Sequence, residues 1–156
     1  DRGYGEDEYF IKKYTNAVDG SDAFTSGFDY HIIRYADVLL MYAECLANTG
    51  NITQAANYVQ QVRNRANLPD RQTEFAGYSL DEFMEQLEHE RIMELAIEGQ
   101  RWWDIKRWGF LQDPSELEEL QSHDSEFNTY SVGRDVVPIA QTEIDRNPNL
   151  VGNSAN

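Results

Sequence analysis

Between Glu90 and Gly109 the chain sets Glu90, Arg91, Glu94, Glu98, Arg101, Asp104 and Arg107 among the apolar residues Leu95, Trp102 and Ile105. Carboxylates beside guanidiniums can hold and move protons, so such a segment invites an acid–base reading. Projected as a helix at about 100° per residue, its apolar stripe is set by Leu80, Phe83, Met84, Leu87, Leu95, Trp102 and Ile105. Arg91, Glu94, Glu98 and Arg101 fall inside that stripe. Each of these ions, unpaired, would cost several kcal/mol to bury, so they must pair with one another or with neighbouring helices. Arg63 lies in the apolar face of a preceding helix, and Asp37 and Glu44 are candidate partners. The segment is therefore read as a buried, nearly neutral ion network that fixes helix register.

The other chemistry-bearing residues form no catalytic pattern. His89-Glu90 is followed by Met93 where a zinc-binding helix needs a second His, and no Glu-x-x-His pair exists for a di-iron bundle. His31 and His123 stand apart. There is no G-x-S-x-G, no glycine loop to cradle phosphate and no Cys/His arrangement. The single cysteine, Cys45, lies in the run Leu39–Ala47 and is read as a small buried hydrophobe. Trp102, Trp103 and Trp108 offer faces on which sugar rings could stack, but core packing is the favoured reading. The sequence predicts no enzyme, no metal and no cofactor.

Positioning these residues falls to helices. Ile32, Tyr35, Ala36, Leu39, Tyr42, Ala43 and Leu46 share one face of a helix predicted over 32–49, with Arg34, Asp37, Glu44 and Asn48 opposite. Gly50 stops it, and Asn51 with Gln54 gives a box-like start to a second helix running to about Asn67, ended by Pro69. The two must lie antiparallel. Leu39, Tyr42, Ala43, Leu46, Gly50, Ala55, Val59 and Val62 fit the tetratricopeptide template moderately, as one repeat needing further helices to complete its stack. After a polar loop over 68–78, Ser79 and Glu82 form a capping box ahead of one long helix to about Trp108, closed by Gly109. Asp113-Pro114-Ser115-Glu116 starts a short helix of about eight residues. Residues 122–137 read as loop with a short strand near Val136 and Val137, and 138–150 as a turn and one helical turn between two prolines.

The fold class is thus all-α: a tetratricopeptide-like helical hairpin packed with a long third helix, plus irregular loops. Residues 1–31 are read as an irregular, aromatic-rich segment that looks cut from something larger, and 32–156 as one helical domain. With 156 residues and 40% hydrophobic composition the chain can bury a core unaided. Its 13 basic against 28 acidic residues leave a formal charge of −15, which repels nucleic acid and anionic lipid. No window approaches 18 apolar residues, and no signal peptide opens the chain, so any export address or anchor is expected upstream.

Three motifs resemble the C-terminal portion of the SusD/RagB family of outer-membrane nutrient-binding lipoproteins of Bacteroidetes. Arg34-Tyr35-Ala36-Asp37-Val38-Leu39-Leu40-Met41-Tyr42-Ala43-Glu44, followed by Val62-Arg63-Asn64-Arg65-Ala66, is similar to the first signature. Glu90-Arg91, Glu94-Leu95, Glu98-Gly99, Arg101-Trp102, Asp104 and Arg107-Trp108-Gly109 resemble the most recognisable segment. Pro138-Ile139, Glu143-Ile144 and Asn147-Pro148-Asn149-Leu150 resemble the closing motif. The resemblance covers roughly residues 30–150. Ala140 departs from a frequent Pro, and Cys45 from a common Ala.

The resemblance implies binding without chemistry. The whole protein would be a surface-exposed outer-membrane lid that captures an oligosaccharide or another nutrient for a SusC-like TonB-dependent transporter, attached through a lipid anchor in the missing N-terminal part. The signature charges would be structural, a network of Arg34, Asp37, Glu44, Arg63, Arg91, Glu94, Glu98, Arg101 and Asp104. Ligand recognition would fall to loops 1–31 and 68–78, with Tyr4, Tyr9, Phe75 and Tyr78 as ring-stacking candidates. The alternatives are a tetratricopeptide-type protein-interaction module, which would need several repeats, and a glycan hydrolase.

Overall fold

A computed structural model describes Lys13, residues 31–147 and residues 149–150. Two compact units, residues 1–101 and 102–156, divide the chain. Every regular element among the described residues is helical, and no helix among them is long and apolar enough to cross a membrane.

The first unit is built on a hairpin of α1 (Tyr35–Asn48) and α2 (Ile52–Arg65). Gly50 takes a positive φ of 83°. The amide of Gly50 then donates to the carbonyl of Ala47, and that of Asn51 to Leu46, the paired bonds of a left-handed helix stop. The second helix ends the same way two residues before Pro69: Asn67 has φ 55°, its amide donates to Asn64 and that of Leu68 to Arg63. The box expected at its start does not form, since the Asn51 side chain makes no cap bond to the helix and its amide nitrogen approaches Thr49 instead.

The buried face of α1 is Ala36, Asp37, Leu39, Leu40, Ala43, Leu46 and Ala47. It is therefore rotated from the predicted stripe: Ile32 precedes the helix and is exposed, Tyr35 and Tyr42 face outward, and Asp37 faces in. Small side chains explain the phase. Ala36, Ala43 and Ala47 let α2 approach through Ala55, Ala56 and Val59, while the ring of Tyr42 packs edge-on against Tyr58 at the rim, 4.9 Å away. Cys45 is exposed rather than buried, because the same rotation turns it outward.

The segment expected as a polar loop holds α3 (Gln72–Phe75), which packs on α2. Next, α4 (Leu80–Glu94) opens with the predicted box: the Glu82 amide donates to Ser79 Oγ, and Glu82 Oε2 accepts from the Ser79 amide at 2.8 Å. It lies against α1 and α2, and Phe83 and Leu87 join the core.

The single helix predicted from Ser79 to Trp108 is two helices, α4 and α5 (Arg101–Arg107). Between them Ile97 and Gly99 have φ of 67° and 76°. Left-handed residues cannot continue a right-handed helix, and at a β-branched residue such a φ is strained. Trp102, expected on the apolar stripe, is 41% exposed, and Trp103 beside it 61%.

In the second unit Ile105, Leu111 and Leu120 form the core, flanked by Phe110, Leu117, Phe127 and Tyr130. A left-handed Gly109 closes α5, as predicted. Asp113 caps α6 (Pro114–His123), its carboxylate accepting from the Ser115 amide, with Pro114 in the first turn. A 3₁₀ turn follows over Ser125–Thr129, capped by Asp124. No strand forms at Val136 and Val137, which are exposed and have no neighbouring extended segment to pair with among the described residues. The last element is α7 (Gln141–Arg146).

Candidate functional site

The charges that the sequence turns inward meet across α1, α2 and α4 in the first unit. Arg91 Nη1 donates to Asp37 Oδ1 at 2.9 Å, both side chains buried. Arg63 pairs with Glu90, not with Asp37 or Glu44 as expected, because α4 brings Glu90 over the α2 face. Gln86 Nε2 adds a bond to the same Glu90 oxygen, and a second Arg63 nitrogen reaches the Pro69 carbonyl at 3.2 Å. Both buried pairs are thereby matched in charge, as burial demands, while Arg63 Nε is buried without a hydrogen-bond partner.

A second cluster sits where α4 ends. Glu94 accepts from Arg34 at 2.8 Å and from Arg65 at 2.7 Å. Glu98 accepts from Arg34 Nε at 2.6 Å and from Lys13. Lys13 Nζ also takes the Glu94 and Ala96 carbonyls, and Arg34 Nη2 the Glu94 carbonyl. Cations thus satisfy the carbonyls that the broken helix leaves open, at the negative end of its dipole. Burial pushes the Glu98 carboxyl up, but its bonds to Arg34 and Lys13 outweigh that and hold it below the ordinary carboxylate range. The bond to Glu98 raises the Arg34 guanidinium in turn. A carboxylate so held stays ionised near neutrality and is poorly suited to proton transfer there.

Other members of the expected network are engaged as follows. Arg101 pairs with Glu88 at 2.7 Å in a half-exposed position. Asp104 is buried in the second unit, where Arg107 donates to it at 2.8 Å. Glu44 is half-buried on α1, and its carbonyl accepts from Asn48. Sequence reasoning missed Glu90, Lys13 and Arg65 as members. Glu90 was within reach, since it precedes Glu94 and Glu98 by one and two four-residue steps.

Of the ring-stacking candidates, Tyr4 and Tyr9 lie outside the described residues. Phe75 is fully buried and belongs to the core, between the Arg63 and Arg71 guanidiniums at 5.5 and 4.7 Å from its centroid. It has no face to offer a sugar. Tyr78 is half-buried against Phe75 and donates its hydroxyl to Glu74 at 2.7 Å. That bond raises the Tyr78 hydroxyl. Nearby, the start of α2 and Gln72 border a polar cavity of about 500 Å³ lined by Asn51, Thr53, Gln54 and Asn57. Its amides and hydroxyl can hydrogen-bond a ligand but supply no acid or base at neutral pH. No three His, Cys, Asp or Glu side chains are placed to hold a metal among the described residues.

This helical frame, with its signature charges, has relatives. The sequence profile of the SusD family matches residues 1–155. The chain belongs to the SusD family. It is 32% identical over 149 residues to SusD-like protein P25 of Formosa agariphila, covering 94% of this chain and 28% of that protein. It is 33% identical over 144 residues to SusD-like protein P2 of the same organism, covering 86% and 27%. Among solved structures, a SusD superfamily protein from Bacteroides vulgatus matches 79% of this chain and 27% of its own, with TM-score 0.66 and 33% identity. The chain thus spans about a quarter of the length of these SusD relatives, and its all-α architecture accords with theirs.

Proposed function

We propose that this chain is part of a cell-surface, outer-membrane nutrient-binding protein of the SusD type. It captures an oligosaccharide, performs no chemistry on it, and passes it to a SusC-like TonB-dependent transporter, with a lipid anchor elsewhere in the full-length protein holding it to the membrane. The observation that carries this reading is family membership along nearly the whole chain. The ion pairing agrees with it: the acidic and basic side chains of the signature segment are engaged with one another and hold helices together. The paired helices act as scaffold, and Tyr4, Tyr9 and Tyr78 remain the stacking candidates in the two loops, with the Phe75 ring packed against Tyr78.

The test is a glycan array and pull-down with the full-length protein. Binding to at least one oligosaccharide, co-purification with a TonB-dependent transporter and no new reducing ends after incubation with the bound glycan are the expected results. Absence of glycan binding, or release of reducing ends, would overturn the reading.

A further inference from the structure

The second unit holds a cavity outside the two loops, lined by one residue of the signature segment, Trp102. It measures about 320 Å³, at the small end of the range for ligand pockets, which is about 300–1,000 Å³. Three of its lining residues are aromatic: Trp102, Phe127 and Tyr130. The rest of the lining, Asp124, Glu126, Thr129 and Arg134, is polar. We propose that this cavity is a saccharide subsite, in which one neutral pyranose ring stacks on the Trp102 indole while its hydroxyls bond to the acidic and guanidinium groups of the rim. The proposal rests on the reading of the protein as a glycan binder, and places a contact outside the loops assigned above.

The break after α4 is what creates the platform. Asp104 and Ile105 take the inward positions of α5, and Trp102 is left 41% exposed. Lys106 Nζ stands over the indole 6.0 Å from its centroid and is itself held by the Asp135 carbonyl at 2.6 Å, which steadies the ring. Tyr130 is fixed in turn by its hydroxyl, which donates to Asp135 Oδ1 at 3.2 Å. A pyranose presents an apolar face of C–H groups ringed by hydroxyls, and an aromatic face with polar groups at its edge matches both parts.

The rim is preorganised. Asp124 Oδ1 accepts from the Glu126 amide at 2.9 Å, locking the 3₁₀ turn that carries Glu126, Phe127 and Thr129. Arg134 Nη1 donates to the Thr129 carbonyl at 2.7 Å, which aims the remaining guanidinium donors from a fixed base. Groups already held in place lose little freedom when a ligand arrives. The charge around the cavity favours a neutral ring: Asp124, Glu126 and Asp135 outnumber Arg134 and Lys106, in a chain of formal charge −15, so uronates and sulfate esters are disfavoured.

The experiment titrates the full-length protein with a panel of neutral oligosaccharides (gluco-, galacto-, manno- and xylo-configured), and with glucuronate-containing oligosaccharides and inorganic sulfate as anionic probes. Trp102→Ala should weaken the neutral ligand about tenfold. Glu126→Gln, at an exposed position that leaves the Asp124 cap intact, should weaken it severalfold, and it decides the matter if Trp102→Ala does not fold. A neutral ligand that binds wild type and both variants equally overturns the subsite and leaves the glycan-binding reading standing. Preference for the anionic probes overturns the neutral-ring assignment. Failure to bind any saccharide overturns subsite and glycan reading together.

Discussion

Arg63–Glu90 and Arg71–Glu74 are ion pairs of the same chemistry in neighbouring parts of one unit, and their surroundings separate them. Arg71 grips Glu74 with two nitrogens, through Nε at 2.7 Å and through Nη2. That bond first, and the Tyr78 hydroxyl second, lower the Glu74 carboxyl to about 2. Yet these side chains remain 36% and 48% exposed, against 9% and 6% for Arg63 and Glu90. Water and salt already serve the exposed pair, so its loss changes little. For the buried pair, removing one partner strands a charge where nothing replaces it. Close geometry and a large pKa shift do not by themselves measure stability; burial decides.

Glu90→Ala should show the largest effect. It leaves Arg63 buried beside Phe75 and should cost about 3–5 kcal/mol, or about 6–20 °C in melting temperature at this chain length. A shift under about 2 °C would erase the distinction between the two pairs. Glu98→Gln should come next, through its pH dependence. The Glu98 carboxyl is lower in the folded chain than its ordinary 4.5. The unfolded chain therefore binds the proton first, and the contribution is complete above about 4.5 and lost as pH falls through the folded value. Denaturant titrations from neutral to acid pH should show a shallower acid decline in the variant; an unchanged decline would remove Glu98 from the network. Ser79→Ala removes the α4 cap and should cost about 1 kcal/mol in urea unfolding. Smallest of all, Glu74→Gln should leave the melting temperature within scatter, and a drop comparable to that of Glu90→Ala would break the comparison from its other side.

Local chemistry was legible in the sequence. The Ser79–Glu82 box, the Gly50 and Gly109 stops and the Asp113-Pro114 start each depend on a few adjacent residues, and each forms. What depends on distant partners was not. Asp37 reads as a partner for a buried arginine, but that the arginine is Arg91, 54 residues away, and not Arg63 depends on how α4 packs. Tyr35 and Tyr42 count as apolar on a helical projection, but alanines set the helix approach. Phe75 sits in a stretch with the composition of a loop, and only the space beneath α2 explains its burial. The interruption at Ile97 is least readable, since a β-branched residue argues against a left-handed turn, and Gly99 alone hints at it. Because Trp102 lies beyond that interruption, its exposure was hidden too.

Lys13 bonds to Glu98 across 85 residues of chain. During synthesis at about 5–20 residues per second, that lysine is made some 4–17 s before its acceptor. Until then the ammonium has no carboxylate to close on, and the hairpin of α1 and α2 is made without that lock. The order of translation makes Lys13 a late fastener, set only after the rest of its unit has been delivered.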